Sequence, residues 1–511
     1  MIEGGKNLEN SDKLDVATKT TLGTVNIKTS VALNNIDDIK ITKVLTATAR
    51  PDVEKIDVDT GEIRFGGNID YDFLVVLENG EIMPLTQKAP FEGILQDSNI
   101  AQTDSICFAY SLTDLSCPTA LSYSSSFDFE FGSVAQNQDL ESASVPEGAF
   151  IKEDEIYFDS LTEKVKYDGN LNFELSKDSK VNKVLFVKNC GVIKSAIPSN
   201  DYFVVAGDIY STIVYQTEEG QIKAITKENS FSEEIEAKGT TKDSNIQAKM
   251  ITRETVVNQN EDGSRFIFDI PFVIYAQIYN RKQGTCVKDA YNLNYEVNLT
   301  TTSFIQNEFQ STKLAEENLL TNFTLTENVP TIDKILAVIP TNIRIVGHSV
   351  KNNEINIEGI ASINIIYYHE DDDGNNELNS IDVDVPFSLS FSALDVIDND
   401  MVDLDVCFGD VNVKSRHGNE LEILSEIKIN YNTTRQSVSS ITTQIVLGDE
   451  KPQKDYALEI YIAKQNQTLW DIAKELNVSV TDLISQNGEL SIPLAQGQKI
   501  ISYTRLKSNL D

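Results

Sequence analysis

Ile63-Arg-Phe-Gly-Gly-Asn-Ile-Asp-Tyr-Asp-Phe-Leu-Val75 decides the fold of this chain. Its apolar residues Ile63, Phe65, Ile69, Tyr71, Phe73 and Val75 fall on odd positions, with Gly67 among them. A period of two sustained over a dozen residues is the mark of a long, half-buried β-strand. A central glycine in such a strand points to a bulge or a sharp bend.

The same pattern occurs twice more. Phe203, Val205, Gly207, Ile209, Ile213 and Tyr215 alternate in one later stretch, and Ile355, Ile357, Gly359, Ile363, Ile365 and Tyr367 in another. Each is preceded by an aliphatic pair, Val44-Leu45, Val184-Leu185 and Ile335-Leu336, and followed by a turn glycine (Gly80, Gly220, Gly374) and a phenylalanine (Phe91, Phe231, Phe387). An earlier alternating stretch, Val25 to Leu33 or Val165 to Leu175, supplies an opening strand. The chain is therefore expected to be mainly β, with three tandem antiparallel β-domains at 1–140, 141–305 and 306–447. The polar stretches Gln136–Glu147 and Gln306–Asn328 are expected to connect them, and 448–455 to be a linker.

The hairpin turns contain Glu78-Asn-Gly-Glu81, Glu218-Glu-Gly-Gln221 and the longer, acidic Glu370–Glu377. Clustered carboxylates at 370–377 leave a calcium site as an alternative to an elongated loop, although the full EF-hand spacing is absent. His369 beside them is a metal-ligand candidate or, as the plainer reading, a turn histidine.

Residues 456–505 differ in kind. Thr468 with Asp471, and Ser479 with Asp482, each place a hydroxyl before an acid three residues on, which starts a helix. Leu469, Ile472, Ala473 and Leu476 form one buried face of the first helix, flanked by apolar strands around Leu458–Ile462 and Gln496–Ser502. This strand, helix, helix, strand segment resembles a LysM domain, a small α+β fold. LysM domains commonly bind N-acetylglucosamine glycans through the loop before the first helix, where Gly-Asp-Thr is usual. Asn466-Gln467-Thr468 stands there instead, so the resemblance implies a protein-binding rather than a glycan-binding use, with Asn466 and Gln467 on the binding surface. Trp470, at the edge of the helical stripe, is expected to anchor a partner, with a core aromatic as the competing reading. Leu458 is a second partner-binding candidate.

Composition narrows the function. The 511 residues carry a net charge of −36. Such a surface repels phosphate backbones and anionic lipid, so no nucleic-acid partner is expected. No run of 18 apolar residues occurs, so no membrane span is expected, and Met-Ile-Glu-Gly-Gly-Lys-Asn lacks a signal-peptide pattern, which suggests a cytosolic protein. Cys107, Cys117, Cys190, Cys286 and Cys407 are widely spaced and odd in number, and are expected to be reduced. His348, His369 and His417 are the only histidines, and no hydrolase, zinc-protease or phosphate-loop motif accompanies them. No catalytic residue, cofactor or resident metal is expected.

Thr331-Ile-Asp-Lys-Ile-Leu-Ala-Val and Ile355–Tyr368 are similar to the SPOCS domain of clostridial spore-coat proteins. Three such repeats before one LysM domain resemble a coat-morphogenetic family. That resemblance implies an adaptor in the mother-cell cytosol at the forespore surface. Its LysM domain would hold the coat basement-layer ATPase, stage IV sporulation protein A, and its repeats would engage other coat proteins or one another. The alternative is a peptidoglycan-binding protein of the cell wall or spore cortex.

Overall fold

The computed structural model describes residues 13–34, 39–119, 121–176, 181–261, 264–326, 329–371, 373–416, 420–452, 458–488, 490 and 494–503. The first repeat contains β1 (Lys13–Ala32), β2 (Ile41–Asp59), β3 (Glu62–Leu77), β4 (Ile82–Gln96), β5 (Ser105–Thr119) and β6 (Ser122–Glu141). The second contains β7 (Ala149–Ser176), β8 (Val181–Pro198), β9 (Tyr202–Thr217), β10 (Ile222–Glu236), β11 (Asn245–Thr252), β12 (Val256–Gln259) and β13 (Arg265–Asn292). The third contains β14 (Tyr295–Phe309), β15 (Lys313–Thr324), β16 (Lys334–Lys351), β17 (Glu354–Glu370), β18 (Asn376–Ser392), β19 (Met401–Ser415) and β20 (Glu420–Glu450).

Each repeat is a pair of facing antiparallel sheets. One is a meander, in order β2-β3-β4, β8-β9-β10 or β16-β17-β18. In the other, the last strand lies centrally: β6 between β1 and β5, β13 against β7, β11 and β12, and β20 against β14, β15 and β19. The alternating residues meet between the sheets. In the first repeat Phe65 packs on Phe129 and Phe131, with ring centroids 5.0 and 4.8 Å away.

The glycines occupy equivalent places for one reason. Gly67, Gly207 and Gly359 pair with Phe91, Phe231 and Phe387. A Cβ on them would sit 2.0 Å from Asp52 O, 2.1 Å from Val192 O and 2.6 Å from Arg344 O. Opposite each, the neighbouring strand carries a bulge, after Val53, Ile193 and Ile345 respectively. The bulge brings backbone too close for any side chain. The hairpin turns match as well, with Gly80, Gly220 and Gly374 at φ +81°, +80° and +80°.

A second bulge in the same strands redirects the aliphatic pair. Leu45, Leu185 and Leu336 are each skipped in the pairing to the central meander strand. Val44, Val184 and Ile335 pack inside their own repeats, whereas the leucines face a cluster shared by all three. Leu74, Val214 and Ile366 join it from the far face of the central strands, and Ile82, Ile222 and Leu378 from the third. Polar contacts around this cluster run in one rotational sense. Lys43 Nζ of the first repeat donates to Leu378 O of the third at 2.8 Å, and its equivalent Lys183 in the second pairs with Glu81 of the first at 3.3 Å.

A second junction joins the ends of the long outer strands. Leu14 and Val16 meet Phe158, Cys286, Phe304 and Ile441, while Tyr279 stacks on Phe309 at 3.7 Å. Asn430 of β20 clamps the backbone of Ile193 in β8, accepting from its N–H at 2.9 Å and donating to its O at 2.6 Å.

Three expectations need correction. The stretch 306–328 is not a plain connector: it holds the end of β14 and all of β15, both paired with β20. Between them, Thr312 donates its N–H to Ile246 O of the second repeat at 2.9 Å. The boundary placed at 305/306 thus falls inside β14, and residues 136–141 belong to β6. The sequence hid this because these segments are polar on their exposed side. Cys190 and Cys407 are not free thiols; they form a disulfide between β8 and β19, with Cα atoms 5.7 Å apart. They are 217 residues apart in sequence and meet only because the second repeat packs on the third. Cys107, Cys117 and Cys286 are free.

At 370–377 the carboxylate of Asp371 accepts from the amides of Asp373 and Asn375 at 3.0 and 2.7 Å. These bonds, the Asn375 amide foremost, hold its pKa below the usual range. Asp372 and His417 lie outside the described residues. His369 Nδ1 lies 3.1 Å from both Thr331 Oγ1 and Thr331 O, which ties the end of β17 to the segment before β16.

Two outcomes follow. Gly207→Ala should destabilise the protein by about 3 kcal/mol or more, and Gly347→Ala, which faces open space, by less than about 0.5 kcal/mol, read by denaturant unfolding. Titration of thiols in denaturant without reductant should find the three of Cys107, Cys117 and Cys286; finding all five would remove the disulfide.

Candidate functional site: the C-terminal α+β domain

The C-terminal domain comprises β21 (Leu458–Ile462), α1 (Leu469–Leu476), α2 (Val480–Asn487) and β22 (Lys499–Tyr503). Both helix starts form as the hydroxyl and acid pairs require. Thr468 and Asp471 make a reciprocal capping box, and Ser479 Oγ accepts from Asp482 N at 2.9 Å. Burial pushes the Asp471 carboxyl up, but the amide and hydroxyl of Thr468 outweigh it and hold the pKa below its usual range. Ile472, Ala473 and Leu476 fill the core with Leu483 and Ile500.

The expected site residues divide between three surroundings. Asn466 is exposed with φ +65°. That left-handed conformation suits the glycine usual at this place, and asparagine is among the few other residues that adopt it readily. The loop keeps its turn while gaining a side chain. Gln467 is engaged internally: its Oε1 accepts from Lys464 N at 2.8 Å and its Nε2 donates to Tyr461 OH at 2.9 Å. Its amide braces the loop against the first strand. The loop after α2 includes residues 489 and 491–493, outside the described residues.

Trp470 is used within the chain, which corrects its assignment as the partner anchor. It is 9% exposed. Its ring meets Tyr291 of β13 edge to face at 4.8 Å, and its Nε1 donates to Asp289 at 2.8 Å. Lys474 binds the other oxygen of Asp289 at 2.6 Å. Tyr291 OH donates to Val478 O at 2.9 Å, and Lys451 Nζ joins Asn292 O and Asn477 Oδ1 at 2.8 and 2.9 Å. The tryptophan is therefore an interface residue, as its place off the helical stripe suggested, but the interface is with the second β-repeat. No local pattern could name Asp289 and Tyr291, which lie about 180 residues earlier.

Leu458 stands in a different setting. It is 51% exposed, with Ile460 at 60%, Ile462 at 59% and Tyr503 at 54%, all on the face of β21 and β22 turned away from the helices. Leu458 pairs with Tyr503, and Ile460 with Ile501. A two-stranded sheet normally hides one face and wets the other with polar residues. Here the outer face is apolar as well, a departure typical of contact surfaces.

Because Trp470 is the only tryptophan of the chain, it reports on this docking. Tyr291→Ala should raise acrylamide quenching of the tryptophan and shift its emission to the red. Truncating the fully buried Tyr291 ring, which also stacks on Phe150 at 5.1 Å, should cost the second repeat about 3 kcal/mol or more. An unaltered spectrum would mean that the domain does not rest on the second repeat.

Residues 461–501 match the LysM domain family. Neither a curated protein nor a solved structure matches the chain. What the chain is shown to carry is a C-terminal LysM domain set on a β-rich body.

Proposed function

We propose that the chain is a non-enzymatic adaptor whose LysM domain binds a protein partner through the outer face of β21 and β22. The observation that carries this reading is the apolar strip of Leu458, Ile460, Ile462 and Tyr503, exposed among the described residues. A strip of this kind favours a protein partner, since sugar hydroxyls reward polar groups and close backbone approach. Asn466, exposed at the turn, lies in the neighbouring loop.

The finer reading is a coat-morphogenetic protein of the SipL type, at the forespore surface in the mother-cell cytosol. Its LysM domain would hold the basement-layer ATPase, stage IV sporulation protein A, while the three β-repeats engage other coat proteins or a second copy. The resemblance of 331–338 and 355–368 to the SPOCS domain and the order of three repeats before one LysM domain support it. The Cys190–Cys407 disulfide counts against a compartment that stays reducing.

The test is binding of the full chain to that purified ATPase. Leu458→Asp combined with Ile460→Lys should weaken it at least about tenfold, roughly 1.4 kcal/mol, without changing the melting of the chain. Unchanged affinity would exclude this face as the contact.

A peptidoglycan-binding role is the second reading, favoured by the LysM match and by the preserved left-handed turn at Asn466. Calorimetry with chitooligosaccharides separates the two. We expect no binding tighter than about millimolar, roughly −4 kcal/mol, and micromolar binding would favour the glycan reading.

A further inference from the structure

Between the β-repeats lie two open recesses, of about 410 and 250 Å³, that share Arg50, Lys188 and Asn189 in their walls. We infer that this pair of cavities is a binding site for a small, multiply charged oxyanion, with Lys188 as its central cation.

The first argument is local charge. The larger cavity, between the first and second repeats, is lined by Arg50, Lys183, Lys188 and Arg253 against Asp72 and Glu254. The smaller, where all three repeats meet, is lined by Arg50, Lys188, Lys249 and Arg344 against Glu130 and Asp405. Arg50, Lys183, Lys249 and Arg253 are already paired with carboxylates, so among the described residues the uncompensated cations of these walls are Lys188 and Arg344, in a chain with net charge −36. A concave, low-dielectric wall strengthens their field.

The second argument is pairing. Arg50 holds Asp70 at 3.1 Å, Lys183 holds Glu81 at 3.3 Å, and Arg253 lies 3.3 Å from Asp168. Lys188 has no carboxylate within ion-pair distance among the described residues. Its ammonium is pushed down to about 8 by burial and by Arg50, against the weaker pull of Asp72. A cation withdrawn from bulk water without a partner is costly. An anion entering the cavity would remove that cost and give Lys188 the partner that Arg50, Lys183 and Arg253 already have.

The third argument is the rest of the lining. Asn182, Asn258 and Gln259 offer amide donors in the larger cavity; Asn189 reaches both, with its Nδ2 donating to Thr255 Oγ1 and its Oδ1 unpartnered among the described residues. Neutral donors beside two or three cations suit oxygen-rich anions such as phosphates or polycarboxylates. The volume admits a small molecule but not a polymer. The site is independent of the LysM face, so the two readings stand or fall separately.

The experiment is calorimetry on the full chain with pyrophosphate and, separately, citrate, each against sodium chloride of equal ionic strength. The chloride arm removes general screening of a highly charged protein. At least one anion should bind one per chain with a Kd below about 1 mM. Lys188→Met should weaken binding at least about tenfold, and Lys28→Met, an exposed cation on β1, should not. Asn189→Asp, which puts a carboxylate into the shared wall, should weaken it likewise and serves if Lys188→Met fails to fold. Binding of pyrophosphate alone assigns the site to phosphates, and of citrate alone to polycarboxylates. No binding beyond chloride, or binding unchanged in the Lys188 and Asn189 variants, overturns the site.

Discussion

Three leucines placed by β-bulges hold the body of this protein together. In a regular strand Leu45, Leu185 and Leu336 would pair and alternate with their neighbours. One extra residue in each strand instead turns them out of their own sandwiches and into a cluster that all three repeats share. The same strands bulge again opposite Gly67, Gly207 and Gly359, where the backbone passes too closely for a side chain. Repeat cores, junction and cavities all depend on these irregularities. A straight β2, β8 or β16 would remove the shared cluster and leave the repeats joined by the outer-strand junction, the Asn430 clamp and the disulfide.

The long strands have a second use. β7 and β13 run on past the core of the second repeat, and their end carries Asp289, Tyr291 and Asn292, on which the LysM helices rest. The contact is mixed in character. An aromatic pair supplies apolar burial, while Asp289 satisfies both the indole N–H and Lys474. With α1 occupied in this way, the outer face of β21 and β22 remains an exposed apolar surface among the described residues of the domain.

Much of the fold was legible because a period of two and a repeated spacing are local signals. The alternation from Ile63 to Val75, the aliphatic pair and the turn glycine mark equivalent positions without any knowledge of packing. The helix caps at Thr468 and Ser479 are equally local. Illegible were features created by distance. The Val44-Leu45 pair marks a repeat, but nothing in it says that its two members serve different cores. Cys190 and Cys407 look unrelated, and polar β15 looks like a connector until β20 is beside it. Trp470 was placed rightly at an edge and wrongly toward a partner, because the surface it meets is supplied by β13. For Leu458, alternation says which residues share a face but not whether the face is covered.

Carrying the three repeats on one polypeptide changes how the assembly behaves. Three separate subunits around such an apolar cluster would come apart on dilution, whereas here each repeat is held at a high effective concentration of the others at any dose of protein. Covalent linkage also frees the copies from being identical. One position around the ring can be Lys188 while its counterparts, Thr48 and Ile339, are uncharged, and one outer ribbon of three can take the LysM domain. A ring of like units thereby acquires a front and a back, a single lateral attachment, and a fixed number of each.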